Sequence, residues 1–210
     1  MNIEFTDTFT YQNKPLSERL EKYEWDRMWI EDTEDKTAKR VLYIGASTSA
    51  KIFPHATEAS NRTILFNNFA SSKALDNPYY YPTVKAFIEQ CPRRDAIILQ
   101  NGLHGWHLSE EEYGRLYYEL MMAIKTDFPG VPMFVALTTA INENEDNAHR
   151  VVPRNEATIS AAKKVGVEVI DLYRTALDNI ELLSPDGLHF TAEGYKKLGC
   201  KLVESITKFL

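Results

Sequence analysis

The sequence predicts an α/β fold, a three-layer α/β/α domain around a five-stranded parallel sheet. Short apolar runs recur at residues 41–44, 63–66, 96–99, 133–137 and 167–170. Each has strand length and lacks the two-residue alternation of a half-exposed strand, so each reads as buried on both faces. Helical patterns lie between them, and strands alternating with helices form a parallel sheet covered on both sides. The 210 residues, 44% of them hydrophobic, suffice for one full core.

In chain order, residues 1–38 form an N-terminal extension. It is polar and charged, with an amphipathic stretch over 16–29 and a solvated connection over 31–36. It packs on the main domain through Tyr23, Trp25, Met28 and Trp29, or it meets another subunit; the sequence leaves both open. The main domain spans 39–210. Helices are expected over 82–90, over 109–127 with a Ser109/Glu112 capping box, over 153–165, and from an N-cap at Thr191 to residue 209. Gly130 and Gly166 each stand between a helix and the following strand, where a C-cap belongs. The polar, acidic loop 142–150 reads as a mobile lid, and Arg154 and Asn155 fall in the helix after it.

Composition excludes several classes. A net charge of −6 fits phosphate-backbone binding poorly, so no nucleic-acid partner is expected. No basic run suits a membrane surface and no apolar stretch suits a transmembrane helix. The first residues lack the regions of a signal peptide, so a cytoplasmic location is expected for the chain as it stands, or a secreted one if a signal has been removed. Cys91 and Cys200 lie too far apart for a disulfide framework or a zinc pattern and read as core-packed thiols.

Open parallel sheets bind ligands at the carboxyl ends of their strands. Here those ends carry Ser47, residues 68–72, residues 101–106, Thr138 with Thr139, and Asp186 with His189. The run Ser184-Pro185-Asp186-Gly187-Leu188-His189-Phe190 sets a carboxylate three residues before a histidine, just ahead of a helix start. That spacing can hold an imidazole in one tautomer. Ser47 is then the candidate nucleophile, His189 the general base and later acid, and Asp186 the orienting carboxylate. The plainer readings are a turn or cap serine and a surface Asp-Gly turn. A Gly-x-Ser-x-Gly elbow is absent, which argues against an α/β-hydrolase. The spacings of His55, His104, His107 and His149 match no ligand pattern, so no metal is expected. A mononucleotide binder would need a glycine-rich phosphate loop, which the chain lacks.

Over about residues 40–210 these features resemble the SGNH (GDSL-type) hydrolases. Gly45-Ala46-Ser47 is similar to the family's Gly-Asp-Ser motif, with alanine for aspartate. Asp186-Gly187-Leu188-His189 matches its Asp-x-x-His motif, followed by Phe190, Gly194 and Tyr195. Gly102-Leu103-His104 stands where the family carries Gly-x-Asn, as in a Gly-Leu-His subset. Asn68-Phe69-Ala70-Ser71-Ser72 occupies the second motif's place without its glycine. The resemblance implies a flavodoxin-like sandwich and a cofactor-free serine esterase acting on short-chain esters of small molecules or carbohydrate, with sugar O-acetyl groups as first choice. Acyl thioesters and lysophospholipids are alternatives. It implies an oxyanion hole from the Ser47 N–H, an N–H near Ala70 or Ser71, and a side chain, either His104 or Asn101. Ala70, Trp106 and Thr138 are the expected substrate contacts, with Trp106 flooring the pocket or packing as a loop aromatic. From another class, a non-catalytic glycan- or acyl-binding module would keep the fold without the reaction. Oligomeric state is left open.

Overall fold

A computed structural model describes residues 15–210. The first part of the expected extension, residues 1–14, lies outside the described residues. Six strands form one sheet: β1 (Asp26–Trp29), β2 (Lys39–Gly45), β3 (Ile64–Ser71), β4 (Ala96–Leu99), β5 (Met133–Ala136) and β6 (Glu168–Ile170), in the order β1-β3-β2-β4-β5-β6. Strands β2 to β6 pair in parallel and correspond to the five apolar runs. The sheet is therefore mostly parallel but has six strands instead of the five expected. The additional β1 comes from the extension and pairs antiparallel with β3.

Hydropathy gives no sign of β1 because all four of its side chains are exposed. Its position comes from backbone pairing and flanking polar contacts. The Trp25 N–H donates to Ser72 Oγ at 2.9 Å, the Glu31 N–H to Asn67 Oδ1 at 3.0 Å, and Lys73 Nζ meets Asp26 Oδ2 at 2.7 Å. Tyr23, at 72% exposure, does not enter the core. Strand β3 also runs beyond its apolar stretch to Ser71. The buried Asn68 amide is tolerated there because its Nδ2 donates to the Tyr43 carbonyl at 2.8 Å and to Ser49 Oγ at 3.1 Å.

Among the described residues six α-helices cover the two faces: α1 (Ser47–Ala59), α2 (Tyr80–Gln90), α3 (Glu110–Asp127), α4 (Glu145–Val165), α5 (Leu172–Leu177) and α6 (Ala192–Ile206). Alternate residues of each strand feed separate cores, as the pleat requires. Leu42, Ile44, Ile97, Leu99 and Val135 pack under α2, α3 and α4. Val41, Tyr43, Ile98, Phe134 and Ala136 pack under α1, α5 and α6.

The Ser109/Glu112 capping box of α3 and the Thr191 cap of α6 form. Helix α1 has no counterpart among the expected helices. Helix α4 starts at Glu145, well before the expected 153, so most of the stretch read as a lid is helix. Asn144 Oδ1 caps it by accepting from the Asn147 N–H at 3.1 Å, and Glu145 and Asp146 complement the first-turn dipole. Pro153 lies inside this helix and does not end it.

Candidate active site

Strand β2 lies between β3 and β4, where the strand order reverses direction, and ligands bind outside the carboxyl end of such a crevice. The chain leaves β2 at Gly45, passes through extended Ala46, and enters α1 at Ser47. Ser47 is thus the first helical residue, partly exposed at the sheet's carboxyl edge. Ala46 occupies the N-cap and supplies no side-chain acceptor to the first turn.

The second component is the turn before α6. The Ser184 N–H bonds the His189 carbonyl at 2.6 Å, the Gly187 N–H bonds the Ser184 carbonyl at 2.9 Å, and Leu183 bridges Phe190. Phe190 and Tyr195 anchor this turn in the core, with their rings edge to face at 6.2 Å. The Gly187 carbonyl accepts from the Asn142 and Glu143 N–H groups at 2.8 and 3.0 Å, so the loop before α4 braces the turn.

Within the turn, Asp186 Oδ1 accepts from the His189 N–H at 2.9 Å and the Leu188 N–H at 3.0 Å, and Oδ2 lies 2.8 Å from His189 Nδ1. These bonds, the His189 amide foremost, hold the Asp186 carboxyl down at about 2. An ionised Asp186 can only accept there, so the Nδ1–H donates to it and the tautomer this favours leaves Nε2 bare. His189 Nε2 stands 2.9 Å from Ser47 Oγ, so the serine hydroxyl can donate to it. The structure thus brings Ser47, His189 and Asp186 into one hydrogen-bonded chain.

Ala46 and Thr48, on either side of Ser47, face Asn101, Gly102, Leu103, Thr138 and Thr139 across a narrow cleft. Thr48 Oγ1, Asn101 Oδ1 and Thr139 Oγ1 are buried and have no hydrogen-bond partner among the described residues. Gly102 is required here: its φ is 150°, and an added Cβ would lie 1.9 Å from Thr138 Oγ1. The Asn101 carbonyl accepts from Thr138 Oγ1 at 2.6 Å and from the Tyr113 hydroxyl at 2.8 Å.

The other expected site residues make the following contacts. His104 Nδ1 lies 3.9 Å from Glu21 Oε1, and no hydrogen bond to Ser47 or His189 is made by the His104 ring. Ala70 and Ser71 are buried members of β3, paired across the sheet with Arg27 and Asp26, and Ser71 Oγ accepts from the Lys73 N–H at 3.0 Å. With no exposed surface, the Ala70 side chain offers no substrate contact. The Trp106 ring lies against the Arg154 guanidinium, 4.1 Å from the ring centroid, and so serves the loop's own packing. His107 Nε2 pairs with Asp76 Oδ2 at 2.9 Å. Among the described residues no group of three metal-ligating side chains is placed to hold an ion.

Two residues beside the cleft had no role assigned from sequence. Asn155 Oδ1 accepts from the Thr138 N–H at 2.9 Å, and its Nδ2 donates to the Thr138 carbonyl at 3.0 Å, fixing the end of β5. Arg154 is fully buried beneath the β4–α3 loop. The signal was available: Val151, Arg154, Thr158, Ala161 and Val165 recur at helical spacing, which puts a charged residue in an inward stripe.

No protein-family model matches the chain, and no curated protein sequence matches it significantly. Solved structures do. A lipolytic G-D-S-L family protein from Veillonella parvula superposes with a TM-score of 0.65 at 19% identity, covering 81% of this chain and 100% of its own. A carbohydrate acetylesterase from Sinorhizobium meliloti gives 0.65 at 14% identity, covering 82% and 100%. An acetylxylan esterase from Geobacillus stearothermophilus gives 0.59 at 12% identity, covering 82% and 96%. The fold is that of the GDSL-type (SGNH) hydrolases.

Proposed function

We propose that the protein is a serine esterase for short-chain carboxylic esters. The observation that carries this reading is the Ser47–His189–Asp186 chain, with links of 2.9 and 2.8 Å. Ser47 Oγ attacks the ester carbonyl as His189 Nε2 takes its proton, and Asp186 stabilises the imidazolium. His189 then protonates the leaving alcohol, and a water it activates releases the acid from Ser47. The oxyanion develops beside the first turn of α1, whose amides favour negative charge.

O-acetyl groups on carbohydrate are the preferred substrates. Similarity in fold to a carbohydrate acetylesterase and an acetylxylan esterase supports this choice. The position of His104 against Glu21 favours a second reading, a binding module on the same fold that has lost part of its oxyanion hole.

Hydrolysis of p-nitrophenyl acetate, butyrate and octanoate by the unaltered protein and by Ser47→Ala separates the two. An esterase shows turnover biased to acetate that falls by about 10³-fold or more in Ser47→Ala, with an unchanged circular dichroism spectrum. Equal activity of the two proteins would eliminate the triad assignment. Absence of turnover on all three esters, with no fluorophosphonate label at Ser47, would select the binding module.

A further inference from the structure

The loop between β4 and α3 supplies Asn101, Gly102 and Leu103 to the cleft beside Ser47. Its next peptide unit is held at both ends by ionisable side chains from distant parts of the chain. On one side Arg154 of α4, with no exposed surface, donates from Nη1 to the Gly102 and His104 carbonyls at 3.1 and 2.6 Å, and from Nη2 to the Gly105 carbonyl at 2.6 Å. Its guanidinium stacks 4.1 Å from the Trp106 ring centroid and 4.8 Å from that of Tyr113. The nearest carboxylate oxygen, of Glu110, is 3.8 Å from Nε. Burial lowers the Arg154 pKa to about 10, which leaves it charged at neutral pH.

On the other side Glu21, ahead of β1, accepts the Gly105 N–H at 2.6 Å. Burial pushes its carboxyl up, but the His104 ring and the Gly105 amide outweigh that and hold it below its ordinary value. The His104 carbonyl and the Gly105 N–H belong to one trans peptide, so they point in opposite directions. Arg154 takes one end and Glu21 the other. Gly105 has a φ of 69°, and a Cβ there would lie 2.9 Å from that of Ala74, so only glycine fits this turn and the backbone geometry is left to the hydrogen bonds that hold it.

Hydrogen bonds to ionised groups are about twice as strong as neutral ones. Removing a guanidinium from water to bond carbonyls is also costly, and such an arrangement favours one backbone geometry over others. We propose that Glu21 and Arg154 are positioning residues for the esterase reaction. By pinning the His104–Gly105 peptide they set where Asn101, Gly102 and Leu103 stand against Ser47. This rests on the esterase reading and gives the N-terminal extension a part in the site.

The test compares the unaltered protein with Glu21→Gln, Glu21→Ala, Arg154→Lys and, as a control on the exposed side of the same segment, Glu18→Ala. Two readouts are taken: kcat and KM on p-nitrophenyl acetate, and hydrogen exchange of the Gly105 amide by 15N NMR. Glu21→Ala is expected to lower kcat by about tenfold or more with little change in KM, because small misplacements of a reacting geometry act on the chemical step. Gly105 exchange should accelerate in parallel. Glu21→Gln keeps an acceptor oxygen and should recover most of both, while Glu18→Ala should match the unaltered protein.

Arg154→Lys loses the two-pronged donor and should lower kcat while speeding Gly105 exchange. If that variant fails to fold, the Glu21 series decides alone. An unchanged kcat in Glu21→Ala overturns the proposal, as does a loss that tracks the thermal midpoint and is not rescued by Glu21→Gln. No Ser47-dependent turnover by the unaltered protein overturns the esterase reading and the catalytic role together. Accelerated Gly105 exchange in Glu21→Ala would then identify the clamp as a feature of the fold alone.

Discussion

Asp186 is half exposed, yet its carboxyl titrates near 2 because the amides of its own turn and the His189 ring all bond its ionised form. The folded value lies below the ordinary 3.8. Its contribution to stability is therefore complete above pH 3.8 and is lost as pH falls toward 2. The melting-temperature gap between the unaltered protein and Asp186→Asn should hold steady from neutrality to about pH 4 and narrow below it. A gap unchanged down to acid would show that the carboxylate's charge does not stabilise the turn. At neutral pH the same variant should lose about 10²- to 10⁴-fold in kcat, because an amide can hold the wrong imidazole tautomer. Ser47, Asp186 and His189 were legible in sequence because their residue types, order and places at strand ends restrict what they can do together. The direction of the His104 side chain was not, because it depends on Glu21, a partner that no local pattern announces.

Strands β4 and β5, and β2 over 41–44, follow their apolar runs because a strand buried on both faces has to be apolar throughout. Strand β3 outruns its run since Asn68 finds partners in Tyr43 and Ser49, a tertiary arrangement invisible to hydropathy. Helix α4 was legible only from its proline onward. Its first two turns are stabilised by the Asn144 cap and by Arg150, whose Nη1 and Nη2 bond the Trp106 and Leu108 carbonyls at 2.6 Å each. The β4–α3 loop depends in turn on close backbone approach at Gly102. Gly102→Ala should destabilise the protein by about 1–3 kcal/mol, because it strains the backbone and drives a methyl group into Thr138. Urea unfolding measures this, and a midpoint equal to that of the unaltered protein would show that Thr138 can yield.

Across the whole molecule, the order of the five parallel strands sets which segments meet Ser47. With β2 at the reversal point, Ser47 at its end can meet a loop from β4 on one side and the turn before α6 on the other. The parallel order follows from alternation of strands and helices, but the sixth strand does not, because a short, charged, exposed segment carries no burial signal. A chain beginning at residue 31 should lose esterase activity along with Glu21, and it should also elute in large assemblies on size-exclusion chromatography; a monomeric truncated protein would contradict this. Strand β3 is eight residues long and buried throughout, whereas β1 has four residues led by Asp26 and Arg27. The opposite edge, β6, is three residues long and opens with exposed Glu168. Both borders of the sheet are thus short and charged, which discourages recruitment of a strand from another chain. For β1 the consequence is colloidal: by covering the long edge of β3, it keeps an edge that could seed cross-strand aggregation out of contact with neighbouring molecules.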